Sequence, residues 1–387
     1  MLAGIDPVET MEFSGPDTDH VLTEFEGLLK KGRPVIFTLG YELGLALDRI
    51  ESRHPATEPF IYAAAFDSLA VHDYITGETV LAGDPDAVDE LESLLRKREC
   101  LSDAGAAAIN TASNFTPDEY ADAVQAIQER IRAGDTYQTN LTRTISVDLP
   151  DSLTPGQIFL RLRKKHPAPF AAYLERPGST VISASPERFF RISDGKISTS
   201  PIKGTRPRGE TPEEDDLLRD QLLNSAKDRA ENTMIVDLLR NDLGRVCEFG
   251  SVQVERLCDL EEHPSLFHLV STINGRLRPN TTISDVIRAL FPCGSITGAP
   301  KISTMRIIDE IERSARGLSM GAIGIYMPAS LGLGEFIDTS VAIRTMTVRG
   351  RQAEFNVGGG IVIDSDPQAE YQETVTKSLA LLSALSL

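Results

Sequence analysis

The sequence contains no tryptophan and only four cysteines among 387 residues. No two of these cysteines form a Cys-x-x-Cys pair, so nothing indicates a disulfide framework or a zinc site. Basic residues are also scarce, and the net charge of −18 argues against nucleic acid or an anionic membrane surface as a partner. No apolar run approaches the length of a membrane span, and the N-terminus lacks a signal peptide pattern. A cytoplasmic protein is therefore expected.

A strong hairpin signal lies near the centre of the chain. Asp194-Gly195 separates two strand-like runs, and this dipeptide suits a two-residue turn in which both residues have positive φ. Pairing across the turn would place Glu187 opposite Ile202 and next to Lys203. An acid and a lysine held close together could act as a proton donor and a nucleophile. A surface Glu–Lys pair is the simpler interpretation.

Strands grouped by hairpins, with long helices between the groups, predict the α+β class. Residues 1–112 are expected to form an N-terminal α/β subdomain and residues 113–387 a second domain, with a linker at 102–114. The strand predicted at 137–149 alternates apolar and polar residues, and it places Gln138 and Asn140 on its polar face. The strand-like runs 321–327, 340–348 and 353–363 predict an antiparallel meander.

Two predicted helices carry paired carboxylates. Asp228 and Glu231 lie in a helix at about 224–246, and Glu370 and Glu373 lie in the last helix, which begins at Asp366-Pro367. The i,i+3 spacing puts each pair on one helix face. Like charges placed in this way repel, and Mg²⁺ would convert the repulsion into affinity. Solvated acidic faces are the alternative interpretation.

Four other features suit an anionic ligand. The run Gly358-Gly359-Gly360 would let a ligand approach the backbone closely, although a bulge would also explain a glycine there. Arg344 lies in an otherwise apolar strand, where a cation needs an anion. Lys377 extends the acidic face of the last helix. His268 lies in an apolar run, where a histidine is more often a core residue than a catalyst. Together these features predict a site for a small dianionic acid.

The chain resembles the chorismate-utilising enzymes from about residue 115 to residue 382, through motifs that follow the family order. These motifs are Ser185-Pro186-Glu187-Arg188-Phe189, Pro201-Ile202-Lys203-Gly204-Thr205-Arg206, Glu231-Asn232 with Val236-Asp237-Leu238 and Arg240-Asn241-Asp242, His268-Leu269-Val270-Ser271-Thr272, Gly294-Ser295-Ile296-Thr297-Gly298-Ala299-Pro300-Lys301, Asp338-Thr339-Ser340 with Ile343-Arg344-Thr345, Gly358-Gly359-Gly360, and Glu370-Tyr371-Gln372-Glu373-Thr374.

Two positions separate the groups within this family. Lys203 stands where anthranilate synthases have alanine, and it resembles the covalent nucleophile of the aminodeoxychorismate synthases. Gln138 stands where the water-adding relatives have a lysine base, so isochorismate and salicylate synthesis are disfavoured. The resemblance therefore implies that chorismate and ammonia are converted to 4-amino-4-deoxychorismate, in the formation of para-aminobenzoate for folate. Anthranilate synthase component I and a non-catalytic, chorismate-binding regulatory subunit are the alternatives.

The resemblance also implies a fold, a metal and a partner. The fold would consist of two facing antiparallel sheets flanked by helices, with the active site between them. Mg²⁺ would be held by Glu231 and Glu373, with Asp228 and Glu370 acting through waters. The sequence lacks the Gly-x-Cys-x-Gly nucleophile motif of a glutaminase, so a separate glutamine amidotransferase subunit is implied.

Individual roles at the site are implied in the same way. Lys203 would attack chorismate, Glu187 would protonate the departing hydroxyl, and His268 would lie near the leaving groups. Arg344 and Tyr326, with backbone amides near Gly359, would hold the enolpyruvyl carboxylate. The residues implied in substrate binding are Gly204, Thr205, Thr297, Tyr326, Arg344, Gly358, Gly359, Gly360 and Lys377.

Overall fold

The computed structural model describes residues 1–15, 17–97, 109–263 and 266–385. The strands in these ranges are β1 Leu2–Ala3, β2 Glu9–Phe13, β3 Val35–Leu39, β4 Ile61–Ala65, β5 Ser68–His72, β6 Thr79–Gly83, β7 Asn110–Ser113, β8 Gln138–Asp148, β9 Phe170–Arg176, β10 Ser179–Ser185, β11 Arg188–Ser193, β12 Lys196–Ser200, β13 Ile202–Pro207, β14 Gln253–Glu262, β15 Leu266–Arg276, β16 Gly298–Ala299, β17 Ala322–Met327, β18 Phe336–Val341, β19 Thr345–Arg349 and β20 Gln352–Ile361. The helices are α1 Thr18–Leu29, α2 Tyr41–Leu47, α3 Pro85–Arg96, α4 Pro117–Arg132, α5 Pro155–Lys165, α6 Pro212–Leu223, α7 Ala226–Gly244, α8 Ile283–Leu290, α9 Lys301–Ile311 and α10 Pro367–Leu385.

Two large antiparallel sheets dominate the architecture. The first has ten strands in the order β13-β15-β12-β11-β18-β17-β3-β4-β2, with β14 also paired to β15. The second has seven strands in the order β16-β8-β20-β19-β10-β9, with β7 also paired to β8. Leu174 and Val181 of the seven-stranded sheet pack against Ile323 of the ten-stranded sheet, so the two sheets face each other here. The α+β class and the antiparallel sheets are confirmed, and a third sheet, β1-β5-β6, was not expected.

Helices cover the outer faces of both large sheets because each presents an apolar stripe. Helices α1, α2, α7 and α8 contribute Phe25, Leu43, Leu239 and Ile287 to the largest core cluster, together with strands of the ten-stranded sheet. Helices α5 and α10 pack on the seven-stranded sheet, where Leu381 is fully buried. None of the helices in the described ranges is both long enough and apolar enough to cross a membrane.

The central hairpin forms as predicted. Asp194 and Gly195 have φ values of 52° and 70°, and Ser193 pairs with Lys196 across the turn. The register slips between Arg191 and Arg188, so the predicted pairing does not extend to Ile202. That residue lies instead in β13, which pairs with β15. Proximity survives the slip, because the backbone N–H of Ile202 is close enough to the Glu187 carboxylate to lower its pKa.

The chain passes directly from one large sheet to the other, without a helix between the strands, at two neighbouring points. Pro186-Glu187 connects β10 to β11, and residues 342–344 connect β18 to β19. The two connections are hydrogen-bonded to each other, because the backbone N–H of Val341 donates to the Glu187 carbonyl at 3.1 Å and that of Ala184 to the Arg344 carbonyl at 3.0 Å. The predicted strand at 340–348 is thus wrong as a single strand, and the predicted meander is divided between the two sheets. Arg344 has a φ of 49° at this break, which a continuous strand does not allow.

Strand β8 also differs from its predicted pattern. The polar face predicted for Gln138 and Asn140 is buried, with these residues 0% and 7% exposed. Helices α4 and α9 lie against the face that carries Leu141, and the opposite face is buried at Gln138, Asn140 and Thr142. The alternation of polar and apolar residues predicted one solvent-exposed face, because polar side chains usually face water. Here the polar side chains face the protein interior.

Only β1, β5 and β6 of the N-terminal strands form a separate sheet. Strands β2, β3 and β4 join the ten-stranded sheet through the pairing of β3 with β17. Of the predicted linker at 102–114, the part up to residue 108 lies outside the described residues, and Asn110–Ser113 forms β7 on β8. The division into domains at residue 112 stays a prediction.

Candidate active site

A glycine bulge shapes the strand that carries Lys203. The ladder between β13 and β15 slips by one residue between Lys203 and Thr205, and Gly204 occupies the bulge with a φ of 79°. A Cβ at this position would lie 2.8 Å from the Leu222 side chain and 3.0 Å from the Asp228 Cβ. Glycine is therefore needed here both for its conformation and for space.

Lys203 lies among three carboxylates. Burial raises the pKa values of Glu187 and Glu231, and the Lys203 ammonium opposes this rise. The same charge helps to lower the pKa of Glu373. The three carboxylates come from the β10–β11 connection, α7 and α10. Side chains more than 180 positions apart in the sequence are thereby collected around one amine. The structure brings together the predicted nucleophile, the predicted acid and the two predicted metal ligands.

The Glu187 carboxyl is suited to proton donation at neutral pH. It is 3% exposed, and its Oε1 accepts no hydrogen bond from any residue in the described part of the chain. Burial raises its pKa to about 7, although the Ser295 hydroxyl, the Lys203 ammonium and the Ile202 N–H all oppose that rise. A carboxyl group that is about half protonated near pH 7 can act as a general acid.

His268 lies beside the Gly204 bulge. Its Nδ1 is 2.9 Å from the Thr205 hydroxyl, and the ring is almost fully buried. Burial lowers its pKa to about 4, and the positive charges of Arg344 and His263 add to the effect. The imidazole is therefore neutral at physiological pH and can exchange hydrogen bonds without carrying charge.

Arg344 is a partly buried cation without a carboxylate. Its side chain makes no hydrogen bond or ion pair with any residue in the described ranges, and burial alone lowers its pKa. The positive charge is close enough to lower the pKa values of both His166 and His268. An unpaired guanidinium near a site is costly unless an anion binds it, so Arg344 is suited to bind a substrate carboxylate.

The predicted metal ligands lie on two neighbouring helices, and each carboxylate has a cationic neighbour. Burial raises the pKa of Glu231, and the like charges of Asp228 and Glu373 add to the effect. Burial alone would also raise the pKa of Glu373, but Lys377 and more distant lysines lower it overall. The cationic contacts are Arg206 to Asp228 at 3.1 Å, Lys227 to Glu231 at 4.0 Å, Lys227 to Glu370 at 3.5 Å, and Lys377 to Glu373 at 2.6 Å.

The carboxylates are chemically suited to Mg²⁺. The Lys227 ammonium lies between Glu231 and Glu370, which shows that a positive charge is favourable between α7 and α10. Oxygen donors of this kind are what Mg²⁺ prefers. As placed, no three acidic, histidine or cysteine side chains among the described residues converge on one metal position. The residue types fit the ion, and its binding stays a prediction.

The three glycines form a regular part of β20 and not a bulge, because each pairs in register with β8. A Cβ on Gly359 would lie 3.1 Å from Glu370 Oε2 and 3.4 Å from Glu373 Oε1. A Cβ on Gly360 would collide with the Gln138 amide, at 2.2 Å. The carbonyl of Gly358 accepts a hydrogen bond from Lys377 at 2.8 Å. The absence of side chains here makes room for the polar groups of the site.

Tyr326 does not lie with Arg344, so the predicted shared carboxylate site is wrong. In the β17–β18 ladder Ala322 pairs with Val341, near Arg344, whereas Tyr326 pairs with Ile337 at the other end. Four residues of strand separate these ends by about 13 Å. The Tyr326 hydroxyl instead donates to Glu335 at 3.3 Å.

Thr297 is fully buried beside β8. Its hydroxyl donates to the carbonyl of Cys293 at 3.0 Å, and its own carbonyl accepts from the backbone N–H of Asn140 at 2.7 Å. The side chain therefore supports the turn beneath the site, and a direct role in substrate binding stays a prediction.

Three site residues were missed by sequence reasoning. The Ser295 hydroxyl is close enough to Glu187 to lower its pKa, but a serine in a loop gives no sign of its partner. Lys227 precedes Glu231 by four residues, a spacing that does indicate contact on a helix. Gln138 was considered only as a residue that is not a base, yet both of its amide atoms are buried without a hydrogen-bond partner among the described residues. Polar atoms in that state are suited to a ligand.

The fold and the site define an enzyme in which a lysine, an acid and paired carboxylates surround a position for a small anionic substrate. The chain belongs to the family described as chorismate binding enzyme, whose model matches residues 4–383. It is 37% identical to aminodeoxychorismate synthase component 1 of Bacillus subtilis, over 96% of this chain and 79% of that protein. It is 44% identical to an anthranilate synthase component 1 of Haloarcula marismortui, over 70% of this chain but only 54% of that protein.

The fold of this chain also matches that of a solved structure. Anthranilate synthase component I from Streptococcus pneumoniae superposes with a TM-score of 0.86 at 27% identity, covering 98% of this chain and 91% of that one. This chain spans about half the length of some relatives and most of the length of others.

Proposed function

We propose that this chain is the aminating component of an aminodeoxychorismate synthase. The observation that carries the proposal is the place of Lys203, among Glu187, Glu231 and Glu373. An amine in this position can form a covalent bond to the substrate beside a carboxyl group able to donate a proton. The Bacillus subtilis relative of that name supports the proposal.

The proposed reaction begins with Lys203 as a neutral amine. Its nitrogen forms a bond to C2 of chorismate, the ring double bonds shift, and the C4–oxygen bond breaks as Glu187 gives its proton to the departing hydroxyl. Ammonia then bonds to C4 and the C2–lysine bond breaks. The Glu187 carboxylate produced in the first step accepts the proton that the new C4 ammonium loses, so the acid is restored.

The other groups of the site would bind and orient the substrate. The unpaired Arg344 suits the enolpyruvyl carboxylate. Glu231 and Glu373, supported by Asp228 and Glu370, would hold Mg²⁺ beside the ring carboxylate. When bound, Mg²⁺ would neutralise that carboxylate and draw electron density toward it.

The experiment that tests the function uses mass spectrometry. Incubation with chorismate and Mg²⁺, without ammonia, should leave a covalent adduct on the peptide that contains Lys203. The Lys203→Ala variant should lack the adduct and lose amination at C4 by at least about a hundredfold. An unaltered rate of 4-amino-4-deoxychorismate formation by this variant would show that the lysine is not a nucleophile.

Anthranilate synthase component I is the second candidate, because the Haloarcula marismortui protein of that name is 44% identical. The two reactions differ in where ammonia bonds, at C2 or at C4. Identification of the product by its mass and ultraviolet spectrum therefore separates the candidates.

A separate glutamine amidotransferase subunit is part of the proposal. The purified chain should aminate chorismate with ammonium salt but not with glutamine, because it lacks the nucleophile motif of a glutaminase. Glutamine-dependent turnover by the purified chain alone would contradict this expectation.

A further inference from the structure

Arg316 is a buried arginine in the connection between α9 and β17, outside the groups proposed to touch the substrate. Its side chain is 1% exposed, and its guanidinium lies 4.6 Å from the centre of the Tyr41 ring. The guanidinium donates twice to the Glu312 carboxylate, from Nε at 2.9 Å and from Nη2 at 2.7 Å. This bidentate pair fixes the plane of the guanidinium, so its other N–H groups point in fixed directions.

Those N–H groups hold two segments of the candidate active site. Nη1 donates to the carbonyl of Ile296 and Nη2 to the carbonyl of Asn140, each at 2.7 Å. Ile296 ends the 3-10 turn Gly294–Ile296, and Asn140 lies in β8. The backbone N–H of Asn140 donates in turn to the carbonyl of Thr297 at 2.7 Å. A single guanidinium therefore ties the turn to the strand.

The turn carries Ser295, which acts on the proposed acid. The Ser295 hydroxyl is close enough to Glu187 to lower the pKa of that carboxyl, and it lies 3.3 Å from Cys293 Sγ. Lys203 and the Ile202 N–H also lower the pKa of Glu187, while the Glu187 charge raises the pKa of the Cys293 thiol. Lys203 and Ile202 belong to β13, so a displacement of the turn would act on the acid through Ser295.

The N-terminal part of the chain supports Arg316 from another side. Glu42, a buried residue of α2, accepts at Oε1 from the backbone N–H groups of Arg316 and Gly317, at 2.9 and 3.1 Å. Glu312 is bound independently of the arginine, because its Oε1 accepts from the N–H and the hydroxyl of Thr142 at 2.7 and 2.9 Å. Buried hydrogen bonds to charged groups are strong, so α2, β8 and the turn are joined through one side chain.

We propose that Arg316 is a positioning residue of the proposed reaction: it holds the turn Gly294–Ile296 against Glu187, and Glu42 and Glu312 hold the arginine in place. The inference rests on the proposed amination, in which Glu187 is the acid. Arg316 would touch neither the substrate nor the departing hydroxyl, and it would exchange no proton.

The first test is Arg316→Lys, because a single ammonium cannot bind two carbonyls and a carboxylate in one plane. The variant should lower kcat at least about tenfold and leave the KM for chorismate within about threefold. Its activity should also persist to higher pH. Loss of the Ser295 contact raises the pKa of Glu187, and an acid with a higher pKa keeps its proton to higher pH.

The pH profile separates positioning from a general loss of structure. Ser295→Ala should move the alkaline limb to higher pH as Arg316→Lys does, and the double variant should move it no further, because both changes remove the same contact. Arg313→Lys is the matched control: this exposed arginine of the same connection pairs with Glu119, and its replacement should give the wild-type profile. A wild-type pH profile in Arg316→Lys would overturn the proposal.

A second measurement does not depend on amination. Cys247, Cys258 and Cys293 are all buried free thiols, and only Cys293 adjoins the turn. Labelling by methyl methanethiosulfonate at one fixed pH, followed by mass spectrometry, should be at least about fivefold faster at Cys293 in Arg316→Lys than in the wild type. The rates at Cys247 and Cys258 should not change. An equal increase at all three cysteines would show general loosening and overturn the positioning role.

Glu42 supplies a second variant if Arg316→Lys does not fold. Glu42→Ala removes the acceptor for two backbone N–H groups and should speed the labelling of Cys293 at least about threefold. Glu42→Gln should restore slow labelling, because its amide oxygen can accept the same hydrogen bonds. Wild-type labelling of Cys293 in Glu42→Ala would overturn the support from α2. If Cys293 is labelled faster as expected but the wild type does not aminate chorismate, Arg316 holds the turn and the proposed function is wrong.

Discussion

The raised pKa of Glu187 should make the stability of the protein depend on pH. Replacing Glu187 by glutamine should remove this contribution. The folded protein holds this proton up to about pH 7, whereas the free carboxyl titrates near 4.5. Between these values the folded state binds more protons than the unfolded state, so stability falls as pH rises through this window. A change from 4.5 to about 7 corresponds to about 3 kcal/mol.

The perturbation is Glu187→Gln, which keeps the shape of the side chain but cannot titrate. Between pH 5 and pH 8 the wild type should lose about 2 to 3 kcal/mol of unfolding free energy relative to the variant. Other carboxyls with raised pKa values, such as Glu42 and Asp242, are present in both proteins and cancel in the comparison. Well below pH 4.5, where both states hold the proton, the two curves should become parallel.

Urea unfolding followed by far-ultraviolet circular dichroism is the appropriate assay, because the chain has no tryptophan to report by fluorescence. Ser295→Ala is a useful companion variant. It removes a hydroxyl that lowers the pKa of Glu187, so it should extend the loss of stability to higher pH. If the wild type and Glu187→Gln change in parallel from pH 5 to pH 8, the reasoning about burial is refuted.

Three substitutions test the binding of charged groups. Replacing Glu231 or Glu373 by glutamine should reduce Mg²⁺-dependent turnover at least about tenfold without lowering the melting temperature, and full turnover in a chelator would contradict the assignment. Arg344→Gln should raise the KM for chorismate by about tenfold or more, because a charge-assisted hydrogen bond is lost. The same variant should unfold at a higher temperature, since an unpaired buried cation has been removed; an unchanged KM would show that the guanidinium does not bind the substrate.

The central hairpin could be predicted from local sequence alone because Asp194-Gly195 determines its turn. The helices with paired acids could be predicted as well, since Asp228, Glu231, Glu370 and Glu373 stand at helical spacing. These features depend on neighbours in the sequence. Their meeting around Lys203 became predictable only through resemblance to a family, because no local pattern states which strand lies beside which helix.

The predictions that the structure contradicts were wrong for physical reasons. The break between β18 and β19 at Arg344 could not be predicted, because the residues on both sides of it favour strands. Nothing in the sequence pattern indicates a positive φ at an arginine. Tyr326 was assigned to the wrong place because residue order does not give the register of a ladder. Gln138 and Asn140 were assigned to a solvent-exposed face because alternation of polar and apolar residues does not distinguish a strand face in water from one buried in a polar site.

The two crossings between the sheets also limit how the molecule can open. Only three residues separate Val341 from Thr345, so the strands they end can move apart by no more than about 14 Å at this point. The crossing at Pro186-Glu187 is hydrogen-bonded to it and is shorter by one residue. These short connections therefore limit how far the two sheets can separate at Glu187 and Arg344. A substrate held by that arginine would keep its distance from that acid in the open and closed forms alike, while the carboxylates of α7 and α10 approach or withdraw.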